Sequence, residues 1–255
     1  MKYAFCGDRE IATRVLKFMT SEGYPPSVLI LSSSKSVSHA DDLEKISGLN
    51  TNRIFIGNEI KSIKCIELMI NEDIDYLFSI HFPHIISKKV LSIPKIGSIN
   101  LHPAYLPYNK GWHTPSWAII EGSDYGATLH FMTEKLDDGN ILHQKKIDIL
   151  PCDTADTLYR RVLDVEFDTF KEYFSKLLSL EPSSVPQSGL GTSHNRADLN
   201  KIQEIKLMQN YTASNIINLL RGLTTNQVSE SCYFVTDGKK YHIQVSITKA
   251  DEINE

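Results

Sequence analysis

The sequence has no paired cysteines, no long apolar run and no excess of positive charge, and each absence removes a class of protein. Cys6, Cys65, Cys152 and Cys232 are widely scattered, with no CxxC pair. That spacing excludes a zinc knot and a disulfide scaffold, and it points to reduced, structural thiols. No apolar stretch approaches the roughly 20 residues that span a bilayer. The amino terminus, MKYAFCGDREIATRV, turns charged too early for a secretory leader. The expectation is a cytoplasmic protein with no membrane partner. A formal net charge of −4 offers no electrostatic reason to bind nucleic acid, whose affinity rests on neutralising phosphates. Internal repeats and low-complexity tracts are also missing.

What is present suits a packed core. Hydrophobic residues make up 41% of the chain and charged ones 23%, the balance of a globular protein. The 255 residues can hold one large domain, or one of ordinary size plus a smaller appendage. Short apolar runs at residues 2–6 (KYAFC), 28–31 (VLIL), 76–80 (YLFSI) and 96–101 (IGSINL) alternate with helix-like stretches at 10–19 and 61–70. That rhythm predicts an α/β fold with a mostly parallel sheet and helices on both faces, whose ligands bind beyond the carboxyl ends of the strands. Two further strands are expected at 125–132 and 141–149, then a long amphipathic helix over 154–178 with Asp153 as its N-cap. Residues 182–191 (PSSVPQSGLG) have linker composition. A helix at 213–220 and two strands at 231–236 and 239–247 follow, with Asp237-Gly238 as a hairpin turn. The expected organisation is a main α/β domain over 1–180, a linker over 181–191 and a small helix-plus-hairpin subdomain over 192–255.

The densest cluster of unusual residues is SINLHPAYLPYNKGWHTP at 98–115. A loop rich in polar and aromatic groups at the end of a core strand is where α/β enzymes place their sites. The alternative is a rigid loop in which Pro103, Pro107 and Pro115 only fix the path. Asn100 and His102 stand two apart, so their side chains share one side of an extended backbone. An amide donor beside an imidazole suits a reaction that builds negative charge on a carbonyl oxygen. For a single histidine, simple packing is the stronger reading. Asp137 lies in the polar turn LDDG; beside an imidazole it would orient the ring and favour its charged form. Spacing alone does not place it there.

The stretches SINLHPAYLP, KGWHTPSWAIIEGSDYGATLHFM and LDDGNILHQ resemble the catalytic core of the folate-dependent formyltransferases. That family includes glycinamide ribonucleotide transformylase, methionyl-tRNA formyltransferase and the sugar-nucleotide N-formyltransferases. The resemblance implies a Rossmann-like core, with the family's Asn, His and Asp on Asn100, His102 and Asp137. It implies that an acceptor amine attacks the formyl carbon of N10-formyltetrahydrofolate, with no metal. His113 falls where the family also tends to carry histidine and is read as a supporting residue. A zinc site from His102, His113 and an acid fits no known ligand spacing. By the same resemblance the folate ring is held by Phe82, Pro83, His84, Ile85 and Ile86, and by a segment from Thr133 through Leu136 to Asp137.

Within the family, the first loop CGDREIA lacks the glycines of a phosphate cradle. The C-terminal part is short and not basic, unlike a tRNA-binding domain. GDREIA, HPAYLPYNKGW and TSHNRADLNKI look instead like the sugar-nucleotide N-formyltransferases. Asp8, Arg9, Tyr105, Lys110, Trp112, His194, Arg196 and Lys201 are then the substrate-side candidates. His194, Arg196 and Lys201 offer cations to a diphosphate; the alternative is a solvated loop running into a helix capped by Asp198. The implied acceptor is dTDP-4-amino-4,6-dideoxyglucose, with the 3-amino-3,6-dideoxyhexose isomer and glycinamide ribonucleotide behind it. The product would enter a surface polysaccharide such as the O-antigen of lipopolysaccharide. A homodimer through the C-terminal hairpin is expected, because its aromatic residues need covering. The readings from other classes are a nucleotide-sugar binding module without catalysis, and a folate hydrolase. The hydrolases of this family carry a regulatory domain ahead of the catalytic one, and none is expected before Met1.

Overall fold

The computed structural model describes residues 1–32 and 39–250. Along the chain run β1 (Tyr3–Gly7), α1 (Arg9–Ser21), β2 (Val28–Leu31), α2 (Ala40–Ser47), β3 (Ile54–Ile56), α3 (Ile63–Asn71), β4 (Tyr76–Ile80) and α4 (Lys88–Leu91). Then come β5 (Gly97–His102), β6 (Lys110–Gly111), α5 (Thr114–Glu121), β7 (Tyr125–Phe131), β8 (Ile141–Ile147) and α6 (Ala155–Leu178). The last elements are β9 (Ser193–His194), α7 (Ala213–Gly222), β10 (Cys232–Thr236) and β11 (Lys239–Ile243). The fold is Rossmann-like: a seven-stranded sheet in the order β3-β2-β1-β4-β5-β7-β8. Strands β3 through β5 are parallel, and β7 runs antiparallel to β5. Among the described residues no helix is long and apolar enough to cross a membrane.

The described residues divide into two compact units, each gathering three stretches of chain. The division is not sequential: residues 103–126 and 146–165 group with the C-terminal stretch, and residues 182–187 group with the sheet.

In the first unit the central strands of the sheet are buried on both faces, and the period of two along each strand sorts its residues. Ala4, Cys6, Val28, Ile30 and Leu77 pack with Cys65, Ile66 and Met69 of α3. On the other face, Tyr3 and Phe78 meet edge to face at 5.4 Å, Phe78 meets Phe170 of α6 at 5.8 Å, and Phe18 of α1 meets Phe174 at 5.1 Å. The cysteines are unpaired; burial pushes the Cys65 thiol up to about 12, as expected of an inert structural residue. Strand order reverses between β1 and β4, where the chain leaves β2 and β3 on one side and β5 on the other. Open α/β sheets bind ligands at such a switch point.

The second unit has its own cores. Ala118, Ile119 and Tyr125 pack on Leu158 and Val162, and Trp117 packs with Leu199, Leu223 and Cys232. The hairpin β10–β11 forms as expected: Asp237 and Gly238 both take positive φ (50° and 70°), the requirement of its tight turn. The cap of α6 differs from expectation. Thr154 Oγ1 accepts from the Thr157 N–H at 3.3 Å, whereas Asp153 binds the Leu150 N–H at 2.6 Å and Arg161 at 2.5 Å. Asp153 thus ties down the approach to the helix and reaches its first turn only through the Thr157 hydroxyl, at 3.4 Å. The last five residues of the C-terminal stretch lie outside the described residues.

Candidate active site

Asn100 and His102 project from the carboxyl-terminal half of β5, and both belong to the first unit. The antiparallel register sets His130 of β7 directly opposite Asn100. Beyond β7 the chain turns through residues 132–140, and this turn returns Asp137 to the pair. Its geometry has two local causes. Asp137 takes φ 47°, a left-handed conformation that Asp tolerates better than most residues. Gly139 lies so close to β7 that a Cβ would stand 1.8 Å from the Phe131 carbonyl oxygen. The Phe131 N–H, in turn, donates to Asn140 O at 2.9 Å.

The result is a cluster of four polar side chains. Asn100 Nδ2 donates to Asp137 Oδ1 at 3.2 Å and meets His130 Nε2 at 3.2 Å. His102 Nε2 lies 3.6 Å from Asp137 Oδ2, and His130 Nε2 lies 3.7 Å from Asp137 Oδ1. His130 Nδ1 stands 2.8 Å from the Phe131 carbonyl oxygen. That contact assigns a proton to Nδ1, because a carbonyl oxygen only accepts. The side chains of His102 and Asp137 are only 8% and 10% exposed, so their electrostatics act through little water. The cluster combines an amide donor, an imidazole and a carboxylate within one small volume.

His130 is the member that sequence reasoning did not single out. It is the penultimate residue of a mostly apolar strand, is itself buried and reads as a core residue; the available signal is a titratable ring in the run YGATLHF. Gln187 was also missed, in a segment of linker composition. Its Nε2 donates to the carbonyls of Asp137 at 2.8 Å and Gly139 at 2.9 Å.

The expected folate segment, also in the first unit, divides by burial. Phe82 and Ile86 are core residues, while Ile85 is 85% exposed. Pro83 is exposed as well. His84 Nε2 donates to Ser32 O at 2.7 Å, fastening the segment to the end of β2. His81, just before it, is left-handed (φ 52°) and donates to the fully buried Glu166 at 2.8 Å. Thr133 stabilises its own turn, accepting from the Lys135 N–H at 3.2 Å, and Leu136 is 53% exposed. Lys88 and Glu134 join the two segments at 2.5 Å. At the switch point, Asp8 is a buried N-cap whose side chain accepts from the Arg9 N–H at 2.9 Å. Arg9 itself is exposed, with φ 65°.

The remaining candidates lie in the second unit. Strands β6 and β9 pair Lys110 with Ser193 and Gly111 with His194. The Arg196 guanidinium stands over the Trp112 ring at 5.3 Å. His194 stacks on Trp117 at 3.8 Å and faces Glu121 at 2.9 Å. Lys201 pairs with Asp198 at 2.6 Å, and His113 faces Glu230 at 4.0 Å. Lys110, Trp112, His194 and Arg196 therefore come together, while Lys201 is engaged on its own helical turn. Tyr105 is half-buried in the loop before β6.

The fold is that of a Rossmann-like group-transfer enzyme. The chain belongs to the formyl transferase family: the model described as "Formyl transferase" matches residues 35–173, and one described as "N-formyltransferase dimerization C-terminal domain" matches residues 198–249. A curated relative, dTDP-4-amino-4,6-dideoxyglucose formyltransferase of Mycobacterium tuberculosis, is 26% identical over 60% of this chain. The match spans 65% of that relative's length. Methionyl-tRNA formyltransferase of Staphylococcus aureus is 25% identical over 100% of this chain and 82% of its own. Among solved structures, a sugar N-formyltransferase of a Shewanella species shares the fold with a TM-score of 0.83, at 23% identity over 98% of this chain and 99% of that one. The N-formyltransferase of Helicobacter canadensis, solved with folinic acid and dTDP-3-aminofucose, matches with a TM-score of 0.69, at 20% identity over 93% of this chain and 85% of that one.

Proposed function

We propose that the protein transfers the formyl group of N10-formyltetrahydrofolate to the amine of a dTDP-linked amino-dideoxyhexose, with dTDP-4-amino-4,6-dideoxyglucose as the first choice. The observation that carries the reading is the convergence of Asn100, His102 and Asp137 at the carboxyl end of β5. The folate brings an activated formyl carbon. Attack by the amine moves negative charge onto the formyl oxygen, and His102 and Asn100 are the donors that would meet it. Asn100 would exchange its 3.2 Å contact with Asp137 for the oxygen. Asp137 orients His102 and relays the proton lost by the amine toward the departing folate nitrogen.

The first unit suits a folate ring. Exposed Ile85 and Leu136 supply apolar walls, and the segments that carry them are joined by Lys88 and Glu134. Phe82, Ile86 and His84 serve by holding the backbone of that segment. In the second unit, Lys110, Trp112 and Arg196 are the side chains offered to the nucleotide, with His194 supporting them from its stack on Trp117. Asp8 and Arg9 mark the switch point, where the sugar-nucleotide family also places its first loop. We assign catalysis to residues 1–180, and assembly together with part of the nucleotide contacts to residues 192–255. The reaction belongs in the cytoplasm, its product going to a surface polysaccharide such as the O-antigen. The protein is proposed to act as a homodimer. The C-terminal match and the exposed Val235 and Tyr241 of the hairpin support that assembly, and sedimentation equilibrium showing a single chain at micromolar concentration would refute it.

The Staphylococcus relative keeps methionyl-tRNA as a second reading, because it aligns along the whole chain. A net charge of −4 weighs against a polyanionic acceptor. The test is an acceptor panel of dTDP-4-amino and dTDP-3-amino sugars, glycinamide ribonucleotide and methionyl-tRNA, each offered with N10-formyltetrahydrofolate. Formylation of an amino sugar supports the proposal. Formylation of only methionyl-tRNA or glycinamide ribonucleotide overturns the substrate, and formylation of none overturns the activity.

A further inference from the structure

We infer that Gln187 is a positioning residue for formyl transfer, acting by holding the turn that carries Asp137. The inference rests on Asp137 serving the reaction as proposed above. Residues 183–187 form a strap along the first unit. The Tyr173 hydroxyl donates to Ser183 O, and Val185 exchanges backbone hydrogen bonds with Ile141 at 2.8 and 2.9 Å. Gln187 ends the strap with both amide hydrogens committed, one to Asp137 O at 2.8 Å and one to Gly139 O at 2.9 Å. Those two carbonyls belong to the left-handed Asp137 and to the glycine that lets the turn approach β7. The carboxylate of Asp137 sits 3.2–3.7 Å from Asn100, His102 and His130, so its place is set by where the turn backbone lies.

The same side chain carries a cost. Its Oε1 is buried and has no hydrogen-bond partner among the described residues. An apolar side chain of similar shape would carry no such acceptor, but it would take the donor away from the Asp137 and Gly139 carbonyls. What such a replacement cannot do is donate twice to the turn. The arrangement therefore sacrifices an acceptor to fix two carbonyls beside the Asn-His-Asp cluster.

The test is turnover with the amine that the acceptor panel identifies. Gln187→Met should lower kcat by about 10–100-fold, the effect of displacing a reacting group by roughly an ångström, with KM for both substrates within about twofold and the protein still folded at the assay temperature by circular dichroism. Gln187→Lys, which can donate again to both carbonyls, should recover most of that loss. Wild-type kcat in Gln187→Met, or a Gln187→Lys variant no better than it, overturns the inference. If the methionine variant does not fold, Gln187→Ala is read against Gln187→Lys in the same way. Asp137→Asn separates the two claims. Its loss of turnover beside an unaffected Gln187→Met sinks only the role of Gln187, whereas full turnover in Asp137→Asn sinks the assignment of Asp137 and the inference with it.

Discussion

Replacing Gly139 with alanine probes the turn with a single methyl group. The added Cβ would stand 1.8 Å from the Phe131 carbonyl oxygen and 2.6 Å from its carbon, both backbone atoms of a sheet strand. A carbon and a carbonyl oxygen approach to about 3.3 Å at closest, so the turn must back away by more than an ångström. That movement stretches the Phe131 N–H to Asn140 O bond of 2.9 Å and the Gln187 to Gly139 O bond of 2.9 Å. It also carries Asp137, two residues earlier, off its 3.6 Å approach to His102. Misplacing a reacting group by about 1 Å costs on the order of 100-fold in rate. Overpacking of this kind destabilises by about 1–3 kcal/mol, offset in part by the roughly 0.4–1 kcal/mol that alanine gains through a less flexible unfolded chain. For a chain of this size each kcal/mol moves the melting temperature by about 2–4 °C. The variant should therefore remain folded at 25 °C by circular dichroism while its kcat falls by about two orders of magnitude. Turnover within threefold of wild type would refute the claim that the turn places Asp137 for the reaction.

Three further substitutions test other parts of the account. His102→Asn should lower kcat by about 10²–10³ while titration calorimetry still detects nucleotide-sugar binding; lost binding would make His102 structural. Glu166→Leu leaves the buried His81 Nε2–H without its 2.8 Å acceptor, which costs about 1–3 kcal/mol; Glu166→Gln, which still accepts from His81, should melt much closer to wild type, and equal melting of the two would refute the importance of that hydrogen bond. Burial alone would raise the Asp75 carboxyl, but hydrogen bonds from Lys95 and the Lys2 N–H outweigh it and hold it below 3.8. A depressed folded pKa adds stability above the unfolded value and loses it as pH falls through the folded one. Asp75→Asn should therefore destabilise at pH 7, with the gap to wild type closing below about pH 4; a gap unchanged at low pH in denaturant melts would contradict the assignment.

Buried strands were the most legible elements. Val28–Leu31 and Tyr76–Ile80 occupy the residues expected of them, because strands covered on both faces leave continuous apolar runs. The short pieces escaped: β3 has three residues and β6 and β9 two each, too few for any period to register. Helix α5 begins at Thr114, inside a stretch that reads as loop, since His113 and Pro115 mask its start. In the site, Asn100 and His102 were visible as a spaced pair on one strand, and the family resemblance supplied Asp137. What joins them is non-local. The β5–β7 register brings His130 to Asn100, and a side chain 50 residues from Asp137 holds its turn. Neither leaves a periodic trace in the sequence. The N-cap of α6 was misplaced by one residue because Asp153 and Thr154 are both good caps, and an arginine eight residues on claims the aspartate.

The most direct measurement is a mass-resolved transfer assay with N10-formyltetrahydrofolate and dTDP-4-amino-4,6-dideoxyglucose, run for the wild-type protein and for His102→Asn. The account predicts a nucleotide sugar heavier by the mass of one carbon monoxide with the wild type, and its near absence with the variant. No heavier product from any amine offered, or equal product from both proteins, would contradict it.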